Sequence, residues 1–156
     1  MVEKTLAMKI LDGKRIPYES FEYSTDDRDA TLIADQLGVP ANEVFKTLVV
    51  IGQENKSFLV MLPADKQLSL KKFAKVVGIK KVKMAGHDEA EKLTGLKVGG
   101  ISALMLINRG FSMYADQSVL NHERIFVSGG KRGLQIALAG KDLVAATGAR
   151  IAEVAN

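Results

Sequence analysis

Lys46 is where the chemistry of this chain begins. It stands between Phe45 and Thr47 at the head of an apolar run, Leu48-Val49-Val50-Ile51, that reads as a buried strand. Lysine is rarely fully buried unless it is paired, so an amine at the start of a central strand points to use. Two glycine turns follow, Val98-Gly99-Gly100-Ile101-Ser102 and Val127-Ser128-Gly129-Gly130-Lys131-Arg132-Gly133. Turns of this kind leave backbone N–H groups exposed. One amine beside two sets of amides suits carbonyl, hydroxyl or phosphate oxygens. The alternative for Lys46 is a stem that snorkels from a strand end to water.

Familiar catalytic templates do not fit. Gly129-Gly130-Lys131-Arg132 resembles a phosphate loop only in part: Ile125 stands where the first glycine belongs, and Arg132 where a Ser or Thr would bind magnesium. His87 and His122 are not in metal-ligand spacing and no carboxylate cluster accompanies them. No metal and no cofactor is therefore expected, and His87 reads as a cap at a helix start. Ser102 and Ser128 flank glycine turns without a nearby base in sequence, so any activating group must come from elsewhere in the fold. Asp26-Asp27-Arg28-Asp29 reads as a solvated loop leading into a helix N-terminus.

The elements that must hold these groups follow from periodicity. A first helix is expected from about Lys4 to Leu11, stopping at Gly13, and a strand over Tyr18 to Tyr23. Ala30 to Leu37 reads as a helix closed by Gly38. Phe45 to Ile51 and Ser57 to Leu62 form a hairpin around Gly52-Gln53-Glu54-Asn55-Lys56. Leu70, Phe73, Ala74 and Val77 make the inward face of a helix with Ser69 as N-cap and Gly78 as stop. That leaves Lys71, Lys72 and Lys75 outside, as a solvated face or an RNA-backbone contact. A short strand over Lys80 to Met84 and a helix over His87 to Leu93 follow, then strands at Ala103 to Ile107, Ser112 to Ala115, Arg124 to Val127 and Leu134 to Leu138. A helix from Gly140 to Thr147 and a strand from Arg150 to Val154 complete the chain. Short strands with irregularly interspersed helices favour a mixed α+β sheet over a doubly wound one.

With 156 residues the chain fits a single domain, residues 1–156, able to bury a substantial core. Its net charge of +4 is mild, and it has no cysteine, which removes disulfides and thiolate chemistry. No signal peptide is indicated at Met1-Val2-Glu3-Lys4-Thr5, and no apolar stretch approaches membrane length, so a cytoplasmic location is expected.

Five segments, in order, carry a resemblance: Phe45-Lys46-Thr47-Leu48-Val49-Val50; Leu70-Lys71-Lys72-Phe73-Ala74-Lys75; Lys80-Lys81-Val82-Lys83-Met84-Ala85; Thr94 through Ser102; and Ile125 through Leu134. From about Ile16 to Val154 the chain resembles the YbaK/EbsC family of aminoacyl-tRNA deacylases, most closely the YbaK-type Cys-tRNA(Pro) deacylase branch. The resemblance implies an α+β domain with a curved, partly barrel-like sheet surrounded by helices, as in the editing domain of prolyl-tRNA synthetases. It implies a trans-editing hydrolase acting on mischarged tRNA, with the acceptor end of proline tRNA as partner and a prolyl-tRNA synthetase as a further one.

By the same resemblance Lys46 orients the ester, and Gly100, Ile101 and Ser102 supply amide donors. Phe21 or Tyr23, Thr47, Gly99, Ser128, Gly129 and Gly130 line the substrate pocket. Lys71, Lys72, Lys75, Lys131 and Arg132 are assigned to tRNA. The substrate's own cysteine thiol is the implied nucleophile in this branch; sister branches use water and a ribose hydroxyl. Three departures stand out. Ala103 replaces the loop proline that would fix φ, Met105 replaces a later glycine, and Leu96 replaces a tyrosine. They bear on which amino acid is removed. The other readings are a sister branch editing alanine, and an inactive member that binds a tRNA end or a protein partner.

Overall fold

The computed structural model describes residues 3–24 and 30–156; the Asp26–Asp29 loop read from the sequence lies outside them. The element order is α1 (Leu6–Gly13), β1 (Glu19–Glu22), α2 (Ala30–Leu37), β2 (Phe45–Ile51), β3 (Ser57–Pro63), α3 (Leu70–Val77), β4 (Lys83–Met84), α4 (His87–Thr94), β5 (Ser112–Asp116), β6 (Ile125–Ser128), β7 (Leu134–Leu138), α5 (Gly140–Thr147) and β8 (Arg150–Ala152). The α+β class is the one the sequence indicates. The strands form two sheets, β1-β7-β6 and β4-β2-β3-β5-β8. A parallel bridge between Val44 and Phe126 links them.

In the larger sheet β2 and β3 are antiparallel over seven pairs, from Phe45 opposite Pro63 to Ile51 opposite Ser57. Strand β3 then pairs in parallel with β5, and β5 with β8. Each face buries its own cluster. Phe45, Val49, Leu59 and Met61 join α1 and the inner side of β6 and β7 in the main core. Val50, Phe58, Val60 and Tyr114 meet Phe73 and Ala74 of α3 on the other side. Alternate residues of a strand point to opposite faces, so one apolar run serves both cores.

Helix α3 illustrates how local signals suffice. The Ser69 hydroxyl accepts the Lys72 N–H at 3.2 Å, and Gly78 closes the helix in the left-handed region at φ 70°. His87 does not cap α4. It is the first helical residue, with Gly86 as the cap, and its Nε2 lies 3.2 Å from Glu91 one turn on.

One element differs in kind. Ala103 to Ile107 reads as a strand, but Ala103–Leu106 is a 3-10 turn buried in the main core. A short apolar run cannot distinguish a buried strand from a buried helical turn, and Ala, Leu and Met favour the latter. No helix among the described residues is long and apolar enough to cross a membrane.

Asp116 ties β8 and the C-terminal residues to the sheet. Its carboxylate accepts the N–H groups of Val154 and Ala155 at 3.1 and 3.2 Å, and both the amide and the hydroxyl of Ser118, the latter at 2.6 Å. Burial pushes its pKa up, but these hydrogen bonds prevail and hold it below the ordinary carboxylate value. A depressed carboxylate pKa contributes stability above the unfolded value that is lost as pH falls through the folded one. Asp116→Ala is expected to cost about 3 kcal/mol, measured by urea denaturation at neutral pH. The wild-type advantage over this variant should shrink once the pH drops below about 4.

Candidate active site

The strand edge that faces away from β3 is where the site forms. Along this edge β4 pairs with β2 only at Val50 and Ile51, and the Val44 bridge covers the other end. The Val49 carbonyl accepts from Ala85 on the β4 side, and the Val44 carbonyl accepts from Ala64 on the β3 side. Backbone groups alternate along a strand. The N–H and C=O of Thr47 therefore face the open edge, where no strand meets them.

A cavity of about 320 Å³ fills this gap. Its floor is Val44 to Leu48, with Lys46 and Thr47 among the lining residues. Val98, Gly99 and Ile101 of the first glycine turn form one wall. Ser128 and Gln135 of β6 and β7 form another, and Ala30 and Ile33 of α2 a third. Lys46 is half-buried, and its Nζ donates to the Ala64 carbonyl at 3.3 Å, which draws the amine toward the strand end.

The first glycine turn offers fewer donors than its sequence suggests. Gly100 N–H closes a turn onto the Lys97 carbonyl at 2.8 Å. The N–H groups of Gly99 and Ile101 make no hydrogen bond among the described residues, and both residues line the cavity. Ser102 is buried and does not line the cavity, and its hydroxyl has no partner among the described residues. The turn packs backbone to backbone on the second one: a Cβ added at Gly100 would lie 3.0 Å from Lys131 Cα and 3.1 Å from Arg132 N. A side chain there would have to push this backbone back by a few tenths of an ångström, so glycine suits the approach.

The second turn is braced rather than open. Gly129 N–H bonds the Leu134 carbonyl, and the Thr5 hydroxyl donates to the Gly129 carbonyl at 2.6 Å. Ser128 Oγ accepts from Gly130 N–H at 3.2 Å. Ser128 lines the cavity; Gly129 and Gly130 do not. Nor do Phe21 and Tyr23. Phe21 lies 5.4 Å, ring to ring, from Phe126 under Arg124, and Tyr23 donates its N–H to Gly133. Leu104 is in the main core, and Met105 Sδ packs where a Gly130 Cβ would fall. The two apolar side chains of the altered loop thus leave the cavity open.

The basic residues separate into two kinds. Lys71, Lys75 and Lys131 are exposed and away from the cavity. Lys72 instead reaches Glu153 at 3.3 Å and the Ala155 carbonyl at 3.1 Å, fastening the C-terminal residues. Arg132 is half-buried and donates from Nε to the Val98 carbonyl at 2.8 Å. Glu91 accepts Val98 N–H at 2.7 Å. That bond, with Lys97 and His87 nearby, holds the Glu91 pKa below the ordinary carboxylate value.

With this geometry in view, comparison with known proteins decides the family. The chain matches the aminoacyl-tRNA editing domain over residues 26–146. It belongs to that family. It is 34% identical over 154 residues to "Putative Cys-tRNA(Pro)/Cys-tRNA(Cys) deacylase EbsC" of Enterococcus faecalis, covering 97% of this chain and 93% of that one. It is also 27% identical to the proline–tRNA ligase of Thermodesulfovibrio yellowstonii, spanning 75% of this chain but only 20% of the ligase. Among solved structures, hypothetical protein APE2540 superposes with a TM-score of 0.88 at 26% identity, over 95% of this chain and 97% of the other. A structure described as "a putative trans-editing enzyme for prolyl tRNA synthetase" shares the fold, with a TM-score of 0.80 at 22% identity and 99% of both chains covered. The YbaK/EbsC resemblance seen in the sequence is thereby shown, and with it the class of enzyme, an aminoacyl-tRNA deacylase.

Gln135 is not among the residues that the sequence pattern marks as candidates. It is 4% exposed, lines the cavity, and its Oε1 has no hydrogen-bond partner among the described residues. Register places it directly opposite Ser128 on β6 and Phe21 on β1, so the three share a face. The available signal was one amide in an otherwise apolar five-residue strand. A buried acceptor left unmade is costly, at about 1–3 kcal/mol. Gln135→Met should therefore stabilise the fold by about 1 kcal/mol, seen as a rise of roughly 2–4 °C in melting temperature.

Proposed function

We propose that this protein is a trans-editing hydrolase that removes cysteine from mischarged proline tRNA. The observation that supports it best is the convergence of Lys46, Thr47, Gly99, Ile101 and Ser128 on one cavity. At about 320 Å³ the cavity is near the lower end of small-molecule sites. It admits an aminoacyl end rather than the body of a tRNA. In this reading the Lys46 ammonium holds an oxygen of the terminal nucleotide beside the floor strand. The free amides of Gly99 and Ile101 receive the ester carbonyl oxygen as it gains negative charge. Amide donors fixed before reaction act without reorganisation, and loss of one typically slows such reactions about 100- to 1000-fold.

The nucleophile need not come from the protein. A cysteinyl thiol held against its own carbonyl can attack it: the sulfur–carbon bond forms, the carbon–oxygen ester bond breaks, and the thiol proton leaves with the ribose oxygen. The product is a cyclic thioester and free tRNA. Positioning of this kind can supply much of the barrier reduction by itself. Leu104 and Met105 do not line the cavity, and a cavity left open in this way supports turnover over a binding role without catalysis.

The decisive assay is hydrolysis of cysteine- and alanine-charged proline tRNA. Cysteine should be released rapidly, and Lys46→Ala should reduce the rate at least about 100-fold with an unchanged circular dichroism spectrum. Release of alanine alone would assign the chain to a sister branch, and release of neither would overturn the proposal. Contacts with tRNA fall to the exposed lysines. Reversing Lys71 and Lys75 together to glutamate should weaken tRNA binding and lower the salt slope of log affinity by about 1–2. Unchanged slope in a filter-binding titration would make them a solvated face.

A further inference from the structure

Arg132, assigned with Lys131 to tRNA phosphate on sequence grounds, turns inward in the structure. Its stem lies across Gly99, where an added Cβ would stand 3.3 Å from Cγ and 3.6 Å from Nε. Its Nε–H donates to the Val98 carbonyl at 2.8 Å, while Glu91 accepts the N–H of the same residue at 2.7 Å. One residue of the cavity wall is thus gripped by a guanidinium at its carbonyl and a carboxylate at its amide. Hydrogen bonds to charged groups are about twice as strong as neutral ones. The next glycine, Gly100, rests directly on the Lys131 and Arg132 backbone. The wall carrying Gly99 and Ile101 cannot slide past the loop carrying Ser128 without breaking these contacts.

We propose that Arg132 is a positioning residue that fixes the Val98–Ile101 wall against the Ser128 loop, so that both present their groups to the aminoacyl ester in one register. The proposal rests on the deacylase reading for its consequence in catalysis and on the geometry alone for the tether. Arginine is required because its Nε–H donor directly follows Cδ; lysine has a methylene at that point, and its only donors, on Nζ, lie one atom further along the chain. Misplacement of a reacting group by about 1 Å can cost roughly 100-fold in rate.

The test compares wild type with Arg132→Lys and Arg132→Met in the full chain, by hydrogen–deuterium exchange of the segment 96–106, by deacylation kinetics, and by the salt dependence of tRNA binding. Both variants should exchange at Val98 and Gly100, the hydrogen-bonded amides of this wall, about 10-fold faster or more, as loss of one charged hydrogen bond predicts. Both should lower kcat roughly 10- to 100-fold, with KM within about twofold and the salt slope unchanged. Wild-type exchange and turnover in Arg132→Lys, with a reduced salt slope only in Arg132→Met, would overturn the proposal and make Arg132 a phosphate contact. Should Arg132→Met fail to fold, Arg132→Lys carries the test alone. If wild type hydrolyses no mischarged tRNA, the deacylase reading fails. Exchange then still decides the tether: faster exchange upholds it and unaltered exchange overturns it.

Discussion

Strand β2 is hydrogen-bonded along the whole of one edge and only at the two ends of the other. Strand β3 meets it from Phe45 to Ile51, while the far edge is covered by the Val44–Phe126 bridge and by β4 at Val50 and Ile51. Backbone groups left unmade in a buried place are costly, so an edge open in the middle must border water or a ligand. Here it borders the cavity. Everything at the site is arranged around this gap: Lys46 at its floor, the smaller sheet across from it, and α2 at its flank.

The walls are held by close contacts that favour glycine. Gly100 lies against the backbone of Lys131 and Arg132, and Gly99 adopts φ 94° beneath the Arg132 side chain. These contacts merge two loops distant in sequence into one wall. Where the resemblance expects a loop proline, which would restrain φ locally, this chain has Ala103. The restraint here is tertiary: the 3-10 turn Ala103–Leu106 is buried in the core, and Glu91 and Arg132 bracket Val98 from either side. Stiffness in this loop is thus distributed over several residues.

Charge shows the same division between local and non-local causes. Seven lysines crowd residues 66–83, and the spacing of three of them, Lys71, Lys72 and Lys75, identifies the outer face of α3. It does not tell which of them face solvent freely. Lys72 is engaged with Glu153 and the Ala155 carbonyl, 81 and 83 residues away, whereas Lys71 and Lys75 on the same helix are exposed. Arg132 likewise reads as a surface cation beside Lys131 until the position of Val98 is known.

The sequence by itself determined the elements whose causes are local. The α3 caps, the β2–β3 hairpin, the bounds of α2, β7 and α5, and the prominence of Lys46 follow from periodicity, capping and turn residues within a few positions. The order of its segments also identified the family. Tertiary structure alone decided what depends on the partner across space. It turned Ala103–Leu106 into a helical turn, engaged the Gly100 amide with Lys97, left those of Gly99 and Ile101 open, and brought Gln135 to the cavity with an unmet acceptor. Side-chain type and spacing fix which groups exist and which face of an element they share. Whether a given amide, amine or guanidinium is satisfied is set by packing between segments dozens of residues apart, and no local pattern records it.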